Sequence, residues 1–272
     1  VMLGARATEE SRAMLHAKMG IDKPIYEQFF LFMKNCLRLD FGESILSGEP
    51  VSQILARRFQ VTASLTGMTA LFTMLLALPI GYFSGVNKHN AAGKAVNTSA
   101  LVVMAVPAFW VGILLMYFFG LKLHWFPISG WGDTLGEHVW SLILPAFTQS
   151  LGISALLIRN MQNEVAQIFT IDYVDFARSK GLAPMRVRVW YILRNVMIST
   201  TTLFSIGIAS MLGGSVIIES IFALPGLGQL FYAAVMARDY TIIMGNLVLG
   251  AVLTLLGNLL ADVCYGLADP RI

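Results

Sequence analysis

The sequence predicts an all-α membrane protein whose helices cross the bilayer several times. Of its 272 residues, 56% are hydrophobic and only 13% are charged, whereas about 25% of the residues in soluble domains are charged. The mean hydropathy is +0.69. Apolar runs long enough to cross a hydrocarbon core of about 30 Å, which takes about 20 helical residues, recur along the chain. These observations exclude an ordinary soluble domain.

Five runs are long enough to be transmembrane helices. Four of them contain no Asp, Glu, Lys, Arg or His, and the fifth ends just before Asp262. The predicted spans are 61–86, 95–120, 139–158, 196–218 and 241–261. One such run could be a buried core helix, but five in one chain favour a polytopic membrane protein.

Residues 1–60 are predicted to form amphipathic helices that lie along the membrane surface rather than across it. Apolar residues recur at helical spacing in this region, with charged residues on the opposite side. The apolar set is Ile25, Phe29, Phe32, Met33, Cys36 and Leu37. A second short helix is expected after Glu49, with Pro50 in its first turn. The chain thus divides into a helical segment, 1–60, and a transmembrane domain, 61–272.

The distribution of basic residues predicts the orientation of the spans, because Lys and Arg are enriched in short cytoplasmic loops. One set of loops, together with the C-terminus, carries Lys88, Lys94, Arg159, Arg178, Lys180, Arg186, Arg188, Arg194 and Arg271. In the opposite loops, 121–138 and 219–240, the only Lys or Arg residues are Lys122 and Arg238. We therefore expect a cytoplasmic C-terminus, an extracytoplasmic segment 1–60, and a further transmembrane helix upstream of Val1.

The spans lack the groups that several other membrane functions need. No ionisable residue lies in the middle of a span, which disfavours a proton- or sodium-driven carrier. The histidines are scattered through loops without metal-binding spacing, and no serine has a base at the same depth. A Walker-type phosphate-binding loop is absent. The sequence predicts no metal site, catalytic site or nucleic-acid binding, and the energy for any uphill transport would come from another polypeptide.

The polar segment 159–195 predicts a helix, a turn and a second helix. Asp172 fits the N-cap of the first helix, and Asp175 lies near the positive end of its dipole. Gly181 fits the left-handed residue that ends this helix, and Pro184 fits the first turn of the next. The expected apolar sides are Tyr173, Phe176 and Ala177 in the first helix, and Met185, Val189, Ile192, Leu193 and Val196 in the second.

The residues alone leave two interpretations of this segment open. It can be a connector whose arginines reach the lipid headgroups. It can also be a rigid docking element that presents four residues to a soluble partner, namely Phe176, Lys180, Gly181 and Leu182.

Several motifs resemble those of one transporter family. Asp175-Phe176-Ala177, three residues and Gly181 resemble the EAA loop, which forms the coupling helix of membrane subunits of binding-protein-dependent ABC importers. Asp and Phe stand where that pattern has Glu and Ala. ESIFALPGLGQL at 219–230, RDY at 238–240 and NLLADVCYGLADPR at 258–271 closely resemble the C-terminal signature of peptide and nickel importer permeases. MGIDKPIYEQF, LDFGES and GEPV resemble the B-type subunit rather than its C-type partner.

The resemblance covers nearly the whole chain and implies the transmembrane domain of a type I ABC importer. It implies six spans, the first upstream of this sequence, in the inner membrane of a bacterium or archaeon. The implied partners are a C-type permease, two cytoplasmic ATPases that hold ATP and Mg²⁺, and an extracytoplasmic solute-binding protein. No cofactor is expected on this chain. The residues assigned to ATPase docking are Asp172, Tyr173, Asp175, Phe176, Ala177, Arg178, Lys180, Gly181 and Leu182.

Two further groups of residues are candidate sites. The candidate pathway residues lie in the fourth span: Thr201, Thr202, Ser205, Ser210 and Met211. The external loop 222–228 is rich in turn formers, and its candidate residues are Phe222, Pro225, Gly226 and Gly228. This loop is either a re-entrant or interfacial turn that closes the structure, or a gate that contacts the solute or the binding protein.

The predicted function is a non-catalytic permease subunit that forms half of the translocation pathway of an ATP-driven peptide importer. Import of nickel or a metal chelate by the same architecture is the alternative. A hypothesis from another class is a non-transporting membrane anchor or receptor that recruits a cytoplasmic protein through the segment 159–195.

Overall fold

The computed structural model describes residues 24–169 and 171–268, with nine of them described by their backbone alone: Tyr173, Asp175, Arg178, Ile198, Ala261, Cys264, Tyr265, Leu267 and Ala268. Within this part of the chain the regular structure is helical, apart from one isolated β-bridge between Glu43 and Pro50. This architecture confirms the predicted all-α fold class.

The first two helices are α1 (Ile25–Cys36) and α2 (Val51–Val86). Helix α1 confirms the amphipathic helix predicted here. Pro50 is the N-cap of α2, which continues without a break through the boundary expected after residue 60. The prediction of a separate short helix after Pro50 is therefore wrong, because those residues are the first turns of the first span.

The second predicted span, 95–120, is not one straight helix. It consists of α3 (Ala91–Ala105) and α4 (Ala108–Leu115), and α4 continues as a π-helix, Met116–Lys122. The two halves are bent by 97° relative to each other. Pro107 explains the break, because it has no N–H to donate and disfavours helical geometry at the residue before it. Val106 is accordingly extended.

The centre of the molecule is α5 (Leu135–Ile168), which packs along α2. It begins with a capping box, in which the Thr134 side chain accepts from the Glu137 N–H and the Glu137 side chain accepts from the Thr134 N–H. The two helices approach closely because α2 places glycines at the contact. A Cβ added to Gly85 would lie 2.5 Å from the Cβ of Val165, and one added to Gly81 would lie 2.8 Å from that of Met161.

The second half of the chain contains a turn, at Gly214, that the apolar pattern did not reveal. Helix α6 (Asp172–Ser179) is followed by α7 (Pro184–Arg186), a π-helix (Val187–Leu193) and α8 (Arg194–Met211). The predicted span 196–218 is not one helix either, because the chain turns at Gly214, whose φ is +99°. It then forms α9 (Val216–Ile221), α10 (Leu227–Ala237) and α11 (Tyr240–Ala268).

Three helices of the described chain are individually long and apolar enough to cross a membrane: Val51–Val86, Leu135–Ile168 and Tyr240–Leu260. Two bent pairs pass the same test together, Ala91–Ala105 with Ala108–Lys122 and Pro184–Met197 with Ser199–Met211. If each pair is one span, the described residues contain up to five, which agrees with the number predicted.

Candidate coupling segment and the Glu219 loop

Helix α6 ends as the sequence predicts. Gly181 has a φ of +72°, in the left-handed region where glycine is strongly favoured over residues with a Cβ. The Leu182 N–H donates to the Ala177 carbonyl over 3.3 Å, the long hydrogen bond of a Schellman motif. Because a Cβ on Gly181 would meet no atom of the described residues within 4 Å, the constraint at this position is conformational rather than steric.

The two sides of α6 differ in their surroundings. Val174 and Ala177 are buried in a hydrophobic cluster that joins α6 to α5 and to the helical segment after it. The other members of this coupling cluster are Met161, Val165, Ile168, Val187, Ile192 and Val196. Phe176 is instead 61% exposed, with the Lys180 ammonium 4.5 Å from its ring centroid.

The remaining residues assigned to docking divide into three groups. Asp172 and Gly181 are exposed, and Leu182 is half-buried against the coupling cluster. The side chains of Tyr173, Asp175 and Arg178 lie outside the described part of the structure. The predicted docking segment therefore has an exposed surface around Phe176. Of the apolar side predicted for α6, Ala177 is buried and Phe176 is not.

The apolar side predicted for the following helix is partly wrong. Ile192 and Val196 are buried, but Met185 is 69% and Val189 is 43% exposed. Val187 occupies the buried position instead. The π-helix Val187–Leu193 explains the difference, because its wider turn changes which residues share a side compared with a regular α-helix.

Polar contacts that the sequence did not predict join α5 to the end of α2, the start of α3 and the turn between them. The buried Gln162 amide donates to the Ser84 hydroxyl and to the Gly93 carbonyl, the latter over 2.9 Å. The neighbouring Asn163 accepts from the Lys88 ammonium over 2.9 Å. The α2–α3 turn is thus bonded to α5 close to the coupling cluster, which Met161 and Val165 of the same helix help to form.

The loop after α9 surrounds a buried carboxylate. Glu219 has no exposed surface. One of its oxygens accepts from the Thr62 hydroxyl over 3.0 Å and from the Ser215 N–H over 3.1 Å, and the other accepts from the Gln229 N–H over 3.0 Å. The Thr62 hydroxyl in turn accepts from the Leu227 N–H over 2.8 Å. This Glu219 network connects α2, α9 and the start of α10.

Burial raises the pKa of the Glu219 carboxyl, and the hydrogen bonds from Gln229, Ser215 and Thr62 act in the opposite direction. Glu219 lies directly after the predicted span 196–218. Its sequence signal was isolation, because no other Asp or Glu occurs between Asp175 and Asp239. An isolated acid beside a glycine-rich turn indicates a carboxylate that accepts backbone N–H groups.

The predicted external loop 222–228 is largely buried within the chain. Phe222 is only 1% exposed and Pro225 is half-buried. Gly226 and Gly228 are constrained by close neighbours, since an added Cβ would lie 2.5 Å from a Glu219 oxygen or 2.6 Å from the Val216 nitrogen, respectively. This packing supports the interpretation of the loop as a turn that closes the structure.

A second buried carboxylate bonds the loop 40–50 to the junction of α10 and α11. Asp239 accepts from the Ser44 hydroxyl over 2.6 Å, from the Ile45 N–H over 3.1 Å and from the Ile242 N–H over 3.3 Å. Arg238 makes the turn possible with a left-handed φ of +57°. The described residues contain no group of three or more His, Cys, Asp or Glu that could hold a metal ion.

The candidate pathway residues do not converge on one cavity. Thr201 lines a narrow cavity with Met197 and Phe204. Ser210 lines a separate groove of about 590 Å³ beside α11. The remaining three, Thr202, Ser205 and Met211, are half-buried. Their role in the pathway stays a prediction.

Comparisons with known proteins agree with this architecture. Residues 77–272 match the family model described as "Binding-protein-dependent transport system inner membrane component". The oligopeptide transport system permease protein AppB of Bacillus subtilis (strain 168) is 33% identical over 279 residues, covering 100% of this chain and 88% of that protein. The glutathione transport system permease protein GsiC of Salmonella choleraesuis (strain SC-B67) is 32% identical over 273 residues, covering 100% and 87%.

A solved structure confirms the fold. A chain of the MetNI methionine ABC transporter in an inward-facing conformation superposes with a TM-score of 0.67 at 17% identity. The match covers 80% of this chain and 97% of that one. At this level of identity the similarity is evidence for the fold alone.

The fold and these similarities define the membrane subunit of an ABC importer, which contributes to the translocation pathway. The chain belongs to the binding-protein-dependent transport system inner membrane component family. The relatives confirm the predicted B-type permease of the peptide and nickel importers. It is a multi-pass inner membrane protein. Because its relatives are transport permeases, they favour the permease over the non-transporting anchor.

Proposed function

We propose that this chain forms half of the translocation pathway of an ATP-driven peptide importer. In this proposal a C-type permease forms the other half, two ATPase subunits bind and hydrolyse ATP with Mg²⁺, and a solute-binding protein delivers the peptide. The chain itself binds no cofactor and performs no catalysis. The relatives named for oligopeptide and glutathione transport support peptides as the substrate class.

The proposed orientation places α6 and the C-terminus in the cytoplasm and the loop 40–50 outside. The excess of Lys and Arg around α6 supports this orientation. Leu78 and Tyr82, near the end of α2, pack on the coupling cluster. Val51 and Leu55, near its start, pack on Leu227. Since α2 is long enough to cross the bilayer, these two regions would lie on opposite sides of it.

The two-sided packing of α6 is the observation that carries the proposed coupling role. Its exposed residue Phe176 is free to contact an ATPase subunit, and its buried residues Val174 and Ala177 are fixed in the coupling cluster. Movement of the ATPases would therefore displace α6 as a rigid body. The cluster would transmit that displacement to α5 through Met161 and to α8 through Val196.

Substitutions at Gly181 test this role in the transporter reconstituted with its binding protein. Gly181→Pro cannot adopt the φ of +72°, because proline is confined to about −65°. We expect Gly181→Pro to reduce both peptide uptake and transport-coupled ATPase activity at least about tenfold while the permease still inserts. Gly181→Asn is the control, since asparagine tolerates left-handed geometry and should retain most activity. Normal uptake by Gly181→Pro would contradict coupling through α6.

The same proteoliposomes test the substrate class. We expect vanadate-sensitive accumulation of labelled peptides and none of radiolabelled nickel, with or without a chelator. Nickel accumulation without peptide uptake would replace the proposed substrate with the alternative one.

A further inference from the structure

A cavity of about 640 Å³ opens beside the first turns of α2, on the proposed outer face. The loop 44–49, the start of α2 and the helix α10 form its walls, and Trp131 and Pro225 complete them. Its size lies within the range of about 300–1,000 Å³ that is typical of small-molecule sites. Much of its lining is apolar, including Ile54, Val61 and Leu230.

All but one of the charged groups that line this cavity have partners within the chain. Arg57 forms an ion pair with Glu49. The Asp239 carboxylate accepts the three hydrogen bonds described above. The remaining charged residue is Arg58, which lies half-buried in the cavity wall and makes no hydrogen bond or ion pair with any residue that the structure describes.

Glu219 acts on Arg58 but already accepts hydrogen bonds from other groups. Glu219 attracts the Arg58 guanidinium electrostatically, but its two oxygens accept from Thr62, Ser215 and Gln229. A guanidinium has five N–H donors in a planar fork that matches a carboxylate. Half-burial without a partner is unfavourable for such a group. The cavity thus offers one cation without a hydrogen-bonding partner among the described residues, and apolar side chains form part of the same wall.

We propose that this cavity binds the C-terminal residue of a transported peptide, with its terminal carboxylate bound by Arg58. The side chain of that residue would pack on the apolar wall that includes Ile54 and Leu230. This inference rests on the proposed function, because it takes a peptide as the substrate. A carboxylate attached to an apolar group complements the Arg58 guanidinium and the apolar part of the cavity wall, and the pair can be bidentate.

The test measures peptide binding to the assembled transporter in nanodiscs without the binding protein, so that the binding protein's own selectivity does not contribute. The probes are an N-terminally labelled apolar tripeptide and the same peptide with an amidated C-terminus. We expect the wild-type transporter to bind the free acid at least about tenfold more tightly than the amide. Arg58→Gln should remove this difference, and Arg58→Lys should retain part of it.

Arg38→Gln is the matched control, because Arg38 is an exposed arginine that does not line the cavity. It should leave the preference for the free acid within about twofold of wild type. Thermal unfolding of each variant complex shows whether Arg58→Gln is folded, and Arg58→Lys supplies a second variant if it is not.

Three results would overturn the proposal. Equal binding of the acid and the amide by wild type excludes a carboxylate site. A dependence on Arg58 that occurs only in nanodiscs with anionic lipid assigns the residue to a lipid phosphate. If Arg58→Gln loses docking of the binding protein but keeps the preference for the free acid, Arg58 belongs to the docking surface for that protein. If wild-type proteoliposomes take up peptides normally, any of these results leaves the proposed function intact, whereas absence of peptide uptake contradicts the function itself.

Discussion

Thr62 occupies a central position in the Glu219 network. Its hydroxyl donates to Glu219 and accepts from the Leu227 N–H, so one side chain satisfies two groups that are distant in sequence. Thr62 is only 1% exposed. Removal of a buried partner leaves the other group unsatisfied, which typically destabilises a protein by about 1–3 kcal/mol.

We expect Thr62→Val to lower the free energy of unfolding by about 1–3 kcal/mol, because valine has a similar shape but cannot bond to Glu219 or Leu227. Thr73→Val is the control on the same helix, since Thr73 is also buried but its hydroxyl has no hydrogen-bond partner in the part of the chain that the structure describes. That change should be neutral or stabilising. Thermal unfolding of the purified transporter in detergent measures both, and equal effects would contradict the importance of the network.

Residues that act through local backbone geometry could be predicted from the sequence, whereas those that act through tertiary contacts could not. Gly181 and Pro184 occupy the predicted cap positions because their preferences depend on φ and on the missing N–H. The hydrogen bond from Thr62 to Glu219 joins residues 157 positions apart. Nothing in the spacing of the two residues indicates that their side chains meet.

At the scale of the elements, close contact between α2 and α5 depends on glycine. Gly85 faces Val165 at a distance that leaves no room for a Cβ, whereas Gly67 on the same helix has no atom within 4 Å of the corresponding position. Both residues are helical, so they share the same intrinsic preference against glycine. Their different surroundings separate the effect of packing from that of helix propensity.

Gly85→Ala is expected to destabilise the transporter by about 1–3 kcal/mol, because the added methyl group forces α2 away from α5. Gly67→Ala should instead be neutral or stabilising by up to about 1 kcal/mol, as alanine favours the helix more than glycine does. The shift in the thermal unfolding midpoint of each variant provides the measurement. A Gly85→Ala protein as stable as wild type would show that the helices separate without loss.

The number of candidate spans was predictable, but their breaks were not. The spans were predicted from the length of apolar runs without charged residues, because the thickness of the bilayer sets the length of a spanning helix. The bend at Val106 and the turn at Gly214 lie within the predicted spans 95–120 and 196–218, where hydropathy alone gives no signal. The sequence signals of these two breaks are Pro107 and the pair Gly213-Gly214.

At the scale of the whole molecule, the two ends of α2 are fixed in different ways. Near its start, the Glu219 network and the Asp239 contacts bond the loop regions to one another. Near its end, the coupling cluster packs α6 against α5, and Gln162 bonds α5 to the last turn of α2 and the first turn of α3. Each end of α2 therefore lies in a group of elements that are bonded to one another. Displacement of α6 would move α5 and the α2–α3 turn together.

Binding of the ATPase subunits directly tests which surface of the permease they contact. Phe176 and Met185 are exposed by 61% and 69%, respectively, and neither belongs to the coupling cluster. Because both are exposed, replacing either with alanine should leave the permease fold intact. We expect Phe176→Ala to weaken binding of the ATPase subunits about tenfold or more, since buried aromatic anchors dominate many interfaces. Met185→Ala should have little effect. Co-purification and the measured dissociation constant compare the two variants, and a larger loss for Met185→Ala would move the docking surface from α6 to the segment that begins at Pro184.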